Sequence, residues 1–294
     1  NDPSLSEGII GLGLLLNHIE HHNLAEDAID FDILDEIDQY ATEWFGRFVD
    51  SKNFSYLIGA AGCLFYLVKR NRALGKTVLE EKISELISAA EIDNEGARFS
   101  SGKLHHSFST DAYNNHYNMG LNNGLVGNLL VLLKAYPLLE KKEYIKDFIT
   151  KGIDFILNLE GPVDINGKRI CYFPTVVSDI KEVRLEKREF YNSRLGWCMG
   201  DLSVAVLLCN AGITLSEESF LAKGIEVAEF TCGRSTKETT KVDDVFLCHG
   251  SSGLSLVYKA LFDMTKSDAL QKSSLKWYTK SEIAFEDLET ENTS

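Results

Sequence analysis

A pair of glycines recurs along the chain, and each time it opens a run of apolar residues. The pattern Gly-x-x-Gly begins at Gly8, Gly59, Gly124 and Gly250, and a variant that ends in serine begins at Gly200. Each run is apolar on nearly every side, so as a helix it must be covered on every side. These five runs predict short inner helices.

Longer segments between these runs carry apolar residues on one face only. Leu79 and Ile83 follow helical spacing, and residues 141–158 carry a second such stripe. A striped helix belongs on the outside of a fold. The alternation predicts an all-α protein of inner and outer helices. An open solenoid would leave its terminal repeats uncovered, whereas closure into a ring buries them on each other. We therefore expect a closed α/α toroid that forms a single domain of residues 1–294.

Two of the striped helices have recognisable starts. Thr77 and Glu80 have the spacing of a capping box, which predicts a helix start at this point. Either Thr214 or Ser216 would cap the helix that carries Leu221.

The charge and the cysteine usage exclude several classes of protein. The 294 residues carry a formal net charge of -14 at pH 7, which argues against nucleic acid and anionic membranes as partners and suits a cationic or neutral one. No apolar run reaches the roughly 18 residues of a spanning helix, so we expect no membrane insertion. Six scattered cysteines favour a reducing, cytoplasmic compartment over a disulfide framework. The residues at the two termini lead us to expect that the chain is curtailed at one or both ends.

Two cysteines and a histidine lie at the starts of glycine-led runs. Cys198 precedes Gly200, and Cys248 and His249 precede Gly250. A helix N-terminus favours anions and lowers the pKa of a thiol. Two thiolates and one imidazole are three of the four ligands of tetrahedral zinc, and a catalytic zinc site leaves the fourth position open. The sequence therefore predicts a Zn²⁺ site on Cys198, Cys248 and His249 whose open position does chemistry.

Two motifs extend these residues into a family resemblance. Ser-Arg-Leu-Gly-Trp-Cys-Met-Gly-Asp-Leu at 193–202 and Cys-His-Gly-Ser-Ser-Gly at 248–253, with the recurring Gly-x-x-Gly helices, resemble the lanthionine synthetase C-like family, the cyclases of class I lantibiotic biosynthesis. The resemblance spans nearly the whole chain. It implies an α/α toroid with one zinc ion on Cys198, Cys248 and His249.

The resemblance also implies a reaction and its partners. In this family a cysteine thiol of a ribosomally made, dehydrated precursor peptide adds to dehydroalanine or dehydrobutyrine, which closes a lanthionine or methyllanthionine ring. Zinc would hold the thiol as a thiolate, and the addition leaves an enolate that needs stabilisation and a proton. The dehydratase and the transporter of the same pathway are further expected partners.

Several positions bear on how the proton is handled. The family motif Gly-x-x-His-Gly has Asn123 in place of its histidine, and an amide cannot transfer a proton near neutral pH. Ser55 stands where the family commonly has aspartate, and Met199 where a tyrosine often follows the cysteine. Arg194 matches the family's arginine and can stabilise developing negative charge.

Three functions are consistent with these residues. The first is a zinc-dependent thioether cyclase. The second, motivated by Ser55 and Asn123, is a catalytically weakened zinc-binding member that acts as a peptide-binding or assembly module. The third is an alkyltransferase-like or glutathione-binding role, because zinc-bound thiolates serve these reactions too. In each case we expect the polar connections 95–118 and 161–191 to line the substrate groove.

Overall fold

The chain is mostly helical, as its sequence predicts. The computed structural model describes residues 2–24, 29–100, 116–161, 169–178 and 191–292. Much of the predicted groove lining, residues 101–115, 162–168 and 179–190, lies outside these ranges. In the described part of the chain, no helix combines the length and the apolar character needed to cross a membrane.

The chain divides into two compact units, of which the first comprises residues 1–118 and 122–155. Its helices are α1 (Ile9–His21), α2 (Ile33–Asp50), α3 (Ala60–Lys69), α4 (Asn71–Leu74), α5 (Lys76–Ser88), α6 (Leu125–Ala135) and nearly all of α7 (Glu143–Leu157), with a 3-10 turn at Tyr136–Leu138. Its short strands are β1 (Glu91–Asp93), β2 (Gly96–Arg98) and β3 (His116–Asn118). Strands β1 and β2 pair antiparallel, with Glu91 opposite Arg98.

The second unit comprises residues 119–121 and 156–294. It contains strand β4 (Val176–Ser178) and the helices α8 (Asp201–Leu215), α9 (Glu218–Cys232), α10 (Lys237–Thr240), α11 (Ser251–Thr265) and α12 (Asp268–Asn292). Helices α8 and α9 approach each other closely at glycines. A Cβ added at Gly212 would lie 2.6 Å from the backbone nitrogen of Leu221, and one at Gly224 would lie 2.7 Å from Cys209 Sγ.

Five helices each begin directly after the first glycine of a glycine-led run: α1, α3, α6, α8 and α11. No side chain caps these helices. At α1, α3 and α11 a carbonyl of the preceding loop does so instead, because the first N–H groups of a helix lack partners within it. Ile9 N donates to Asp2 O at 2.9 Å, and Ser251 N donates to Asp244 O at 3.0 Å.

The glycines allow the loop to lie directly on the helix start. A Cβ at Gly62 would lie 2.4 Å from Tyr56 O, and a Cβ at Gly253 would lie 1.9 Å from Leu247 O. A side chain at either position would push the loop away, so this backbone approach requires glycine. In the second unit the loop held in this way leads into Cys248.

The sequence predicts a side-chain cap at Thr77 for one helix and at Thr214 or Ser216 for another, and both predictions are wrong. Helix α5 begins after Gly75, whose φ is 81°, so Thr77 lies inside the helix and forms no capping box. Helix α9 has Glu217 as its N-cap, while Ser216 ends α8 in the left-handed conformation and Thr214 lies within α8. In both cases the tight turn between consecutive helices decides which residue occupies the cap.

A buried ion pair ties α2 to α3 in the first unit. Arg70 Nη2 donates to Asp38 Oδ2 at 2.9 Å, and Arg70 Nε donates to Asp38 Oδ1 at 3.0 Å. The hydroxyl of Tyr66 donates to the same Oδ1 at 2.6 Å. Only 8% of the Arg70 side chain and 5% of the Asp38 side chain are exposed. Removal of one partner would therefore leave a buried charge without compensation.

Substitution Asp38→Ala should lower the free energy of unfolding by about 3–5 kcal/mol, the usual result of breaking a buried pair. Asp147→Ala is the matched control, because Asp147 pairs with Lys151 at 2.7 Å but is 62% exposed. It should cost no more than about 1 kcal/mol. Urea unfolding followed by circular dichroism measures both, and equal losses would contradict the importance assigned to the buried pair.

Candidate functional site

The three predicted metal-ligating side chains lie together in the second unit. One donor atom each from Cys198, Cys248 and His249 lies within 4.8 Å of the other two. Cys248 Sγ and His249 Nε2 are 3.5 Å apart. The three could hold one metal ion, and among the described residues no other His, Cys, Asp and Glu side chains form a group of three or more this close.

Cys198 lies in a loop, residues 193–200, that backbone hydrogen bonds hold in place. Leu195 N donates to Thr240 O at 2.8 Å, and Cys198 O accepts from Leu121 N at 2.9 Å. The loop ends at Gly200, whose φ is 73°, in the left-handed region that favours glycine. A Cβ there would also lie 2.5 Å from the Ser193 hydroxyl. The backbone around Cys198 is therefore fixed on both sides.

A buried arginine adds to the support of this loop. Arg234, which follows α9, donates from Nη2 to Ser193 O and from Nε to Thr239 O, the latter at 2.8 Å. Its side chain thereby joins the loop to α10. No sequence pattern marks Arg234, because both of its hydrogen-bond partners are backbone carbonyls.

Trp197 connects the loop of Cys198 to the loop of Cys248. Its indole Nε1 donates to Leu247 O at 2.7 Å. The second loop is also braced internally, since Gly250 N donates to Phe246 O at 2.9 Å. The motif of residues 193–202 included Trp197, but its partner became visible only in the structure.

The cluster is closed at one end and open at the other. Cys198 is fully buried, His249 is half-buried and Cys248 is exposed. Burial raises the pKa of the Cys198 thiol to about 12, with a further increase from Cys248 and a smaller opposing effect of Arg194. The expected decrease from a helix N-terminus is thus outweighed by desolvation. A thiolate at Cys198 needs a cation close by.

The three residues proposed for proton and charge handling lie in both units. Arg194 occupies the Cys198 loop in the second unit and acts on that thiol through its charge. Ser55 and Asn123 meet in the first unit, where Ser55 Oγ donates to Asn123 Oδ1 at 2.6 Å. Asn123 does not cap α6, whose N-cap is Gly124.

Asp201 is a further buried charge beside the Cys198 loop. It opens α8 and is 1% exposed, and its Oδ1 accepts from Tyr172 N at 3.0 Å and from Phe173 N at 2.9 Å. Burial raises its pKa to about 6 against these hydrogen bonds and the charges of Arg234 and Arg169. Asp201 belongs to the motif of residues 193–202, but only the structure shows that it anchors a distant backbone segment.

Fold and cluster together define a mostly helical protein with a candidate thiolate and imidazole metal centre. The chain belongs to the lanthionine synthetase C-like family, whose model matches residues 1–290. This confirms the family that the motifs indicate.

The chain is also similar to two known proteins. The nisin biosynthesis protein NisC of Lactococcus lactis subsp. lactis is 23% identical over 284 residues, which cover 90% of this chain and 64% of that protein. The chain thus spans less than two thirds of NisC. The solved structure of nisin cyclase is similar with a TM-score of 0.74 at 20% identity, over 97% of this chain and 70% of that one. At this identity the likeness shows the fold alone.

The raised pKa of Asp201 predicts how the free energy of unfolding changes with pH. Because the carboxyl takes up a proton more readily in the folded than in the unfolded chain, its protonation should stabilise the fold as the pH falls from about 6 to about 4. The free energy of unfolding of the wild type minus that of Asp201→Asn should therefore be larger near pH 4 than near pH 7.5. The expected change is on the order of 2–3 kcal/mol.

Glu226 supplies a control of opposite sign. Its pKa is lowered by the hydroxyl of Tyr172 and by Lys223, so it contributes stability at neutral pH that is lost on acidification. The wild type should lose stability relative to Glu226→Gln as the pH falls. Urea unfolding of the three proteins between about pH 3 and 8 measures both trends, because the contribution of Glu226 is lost only below its ordinary pKa of 4.5. If the free energy of unfolding of the wild type minus that of Asp201→Asn stays constant or increases with pH, the raised pKa of Asp201 is contradicted.

Proposed function

We propose that the protein is a zinc-dependent cyclase that forms lanthionine or methyllanthionine rings in a dehydrated precursor peptide. The observation that carries this proposal is the Cys198, Cys248 and His249 cluster in a chain of this family. Its relatives are by name a nisin biosynthesis protein and a nisin cyclase, which supports a peptide of the same chemical class as substrate.

The donor set fits zinc in its chemistry, and the Cys248 and His249 donors also fit it in their spacing. Tetrahedral bonds of about 2.3 Å to sulfur and about 2.0–2.1 Å to nitrogen place the two donor atoms roughly 3.6 Å apart. Cys248 Sγ and His249 Nε2 are separated by 3.5 Å. Thiolate and imidazole donors suit zinc, and three protein ligands leave one position for an exchangeable ligand. Bound zinc would supply a positive charge that holds a peptide thiol as thiolate near neutral pH.

The chain's own residues would orient the reactants and stabilise charge. Buried Cys198 fixes one side of the cluster, and exposed Cys248 leaves the other side accessible. When the peptide thiolate adds to the β-carbon of the dehydro residue, the electrons of its double bond move to the carbonyl oxygen. Arg194, whose charge already acts on Cys198, is the group we assign to that oxygen.

The last step places a proton on the α-carbon of the former dehydro residue. Asn123 cannot supply it, because an amide has no proton to transfer near neutral pH. Its Oδ1 accepts the hydroxyl of buried Ser55. We therefore infer that this proton comes from water.

The same pair favours a second candidate function. A hydrogen-bonded serine and asparagine have no group that titrates near neutral pH, so this pair provides no acid or base for the last step of a cyclase. The alternative is a catalytically weakened zinc-binding protein that acts as a peptide-binding or assembly module.

We also infer the architecture and the surroundings of this activity. The fold is a single α/α toroid over residues 1–294, with glycine-led helices inside. The likeness to nisin cyclase over 97% of the chain supports it, as do the matching loop contacts at Gly62 and Gly253. A free thiolate centre requires reducing conditions, so we place the protein in the cytoplasm. Its further partners are the dehydratase and the transporter of the pathway.

Thiol consumption tests the reaction and the metal together. Zinc-loaded protein incubated with a dehydrated, cysteine-containing precursor should remove free thiols faster than the uncatalysed reaction, with no change in peptide mass. Cys198→Ala should lose stoichiometric zinc and this activity. Cys63→Ala should keep both, because Cys63 is an equally buried thiol in α3.

Elemental analysis and a thiol reagent give the two readouts. Full zinc content in Cys198→Ala would refute the ligand assignment. Intact zinc without thiol loss in the wild type would refute the cyclase and favour the binding module.

Asn123→His tests the proton supply. If protonation limits the rate, an imidazole at this position should raise thiol consumption by about tenfold or more, in line with general acid catalysis. Asn122→His is the matched control, since Asn122 is adjacent and half-buried like Asn123. An unchanged rate in Asn123→His, or an equal increase in both variants, would discard this explanation.

A further inference from the structure

Two large apolar side chains are exposed immediately before Cys248. Phe246 is 68% exposed and Leu247 is 58% exposed. Single exposed apolar residues are common on protein surfaces and need no explanation. Here two of them are adjacent, and they directly precede in the chain the exposed member of the candidate metal cluster. We call Phe246 and Leu247 the apolar rim.

The backbone beneath the apolar rim is fixed. Phe246 N donates to Asp244 Oδ1 at 2.9 Å, and Phe246 O accepts from Gly250 N at 2.9 Å. Leu247 O accepts from Trp197 Nε1 at 2.7 Å and lies against Gly253. These contacts hold the two side chains out towards solvent on a rigid support, which reduces the ordering that a ligand would otherwise have to impose.

A peptide that uses the candidate metal site must pass close to the apolar rim. If its cysteine sulfur shares one ion with Cys248 Sγ, its neighbouring residues lie near the backbone of Cys248. Consecutive Cα atoms are about 3.8 Å apart, so Phe246 Cα lies no more than about 7.6 Å from Cys248 Cα. The residues on either side of the peptide cysteine are therefore within reach of both side chains.

We propose that the apolar rim binds an apolar side chain adjacent to the reacting cysteine of the peptide, and so sets a sequence preference at that position. This inference rests on the proposed function, because it takes its ligand from it. Burial of two exposed apolar side chains against a third supplies the favourable free energy. The neighbouring carboxylates Asp243 and Asp244, in a chain of net charge -14, disfavour an acidic residue at the same place.

Binding without turnover tests the preference. The probes are two fluorescein-labelled synthetic decapeptides with one cysteine and no dehydro residue, one with leucine on both sides of the cysteine and one with serine. Zinc-loaded wild type should bind the leucine peptide about tenfold more tightly by fluorescence anisotropy. The double variant Phe246→Ser, Leu247→Ser should reduce this ratio to about twofold or less, because most of the apolar contact is gone.

Leu256→Ser is the matched control. Leu256 lies on α11 and is 59% exposed, close to the value for Leu247, but it is not part of the loop. This variant should keep the tenfold ratio. An unchanged ratio in the rim variant overturns the proposal, and so does a failure of the wild type to bind the leucine peptide. Sedimentation that shows a dimer dependent on the rim, with no peptide preference, would instead assign it to contact between copies.

The test separates this inference from the function on which it rests. Preference for the leucine peptide without thiol consumption on a dehydrated peptide would refute the cyclase and leave the apolar rim in place. Thiol consumption without any preference would refute the rim alone.

Discussion

The site depends on how closely the backbone of a loop approaches the first turn of the helix that follows it. At α11 the N–H of Ser251 is satisfied by the carbonyl of Asp244, and the carbonyl of Leu247 lies where any side chain at residue 253 would be. The loop can therefore lie in one place only. Because Cys248 is the next residue after Leu247, this contact also fixes a donor of the cluster.

Buried charges provide the second level of support. Arg234 and Asp201 both hold backbone groups, the former two carbonyls and the latter two N–H groups. Neither directly contacts a donor atom of the cluster in the described structure. Their burial carries a free-energy cost, as the raised pKa of Asp201 indicates. Burial of these charges thus lowers the stability of the fold while it keeps the backbone around Cys198 rigid.

The candidate site residues are divided unequally between the two units. The donor set and the adjacent Arg194 belong to the second unit, while Ser55 and Asn123 form a neutral hydrogen bond in the first. Under the proposed function, the candidate metal donors and the arginine for charge stabilisation thus belong to one unit, while Ser55 and Asn123 offer no group that transfers a proton near neutral pH. This imbalance is what makes both a cyclase with solvent protonation and a binding module reasonable for one sequence.

The sequence by itself determined the helical class, the five glycine-led helix starts and the identity of the clustered side chains. The first two follow from local rules, since apolar periodicity and the absence of a Cβ act over a few residues, and the third follows from the ligand chemistry of the motifs at 193–202 and 248–253. The tertiary structure alone decided the partners of Trp197, Arg234 and Asp201, because a backbone carbonyl or N–H carries no sequence signature. It also reversed the expected pKa shift of Cys198, since burial depends on what covers a residue and not on its neighbours along the chain.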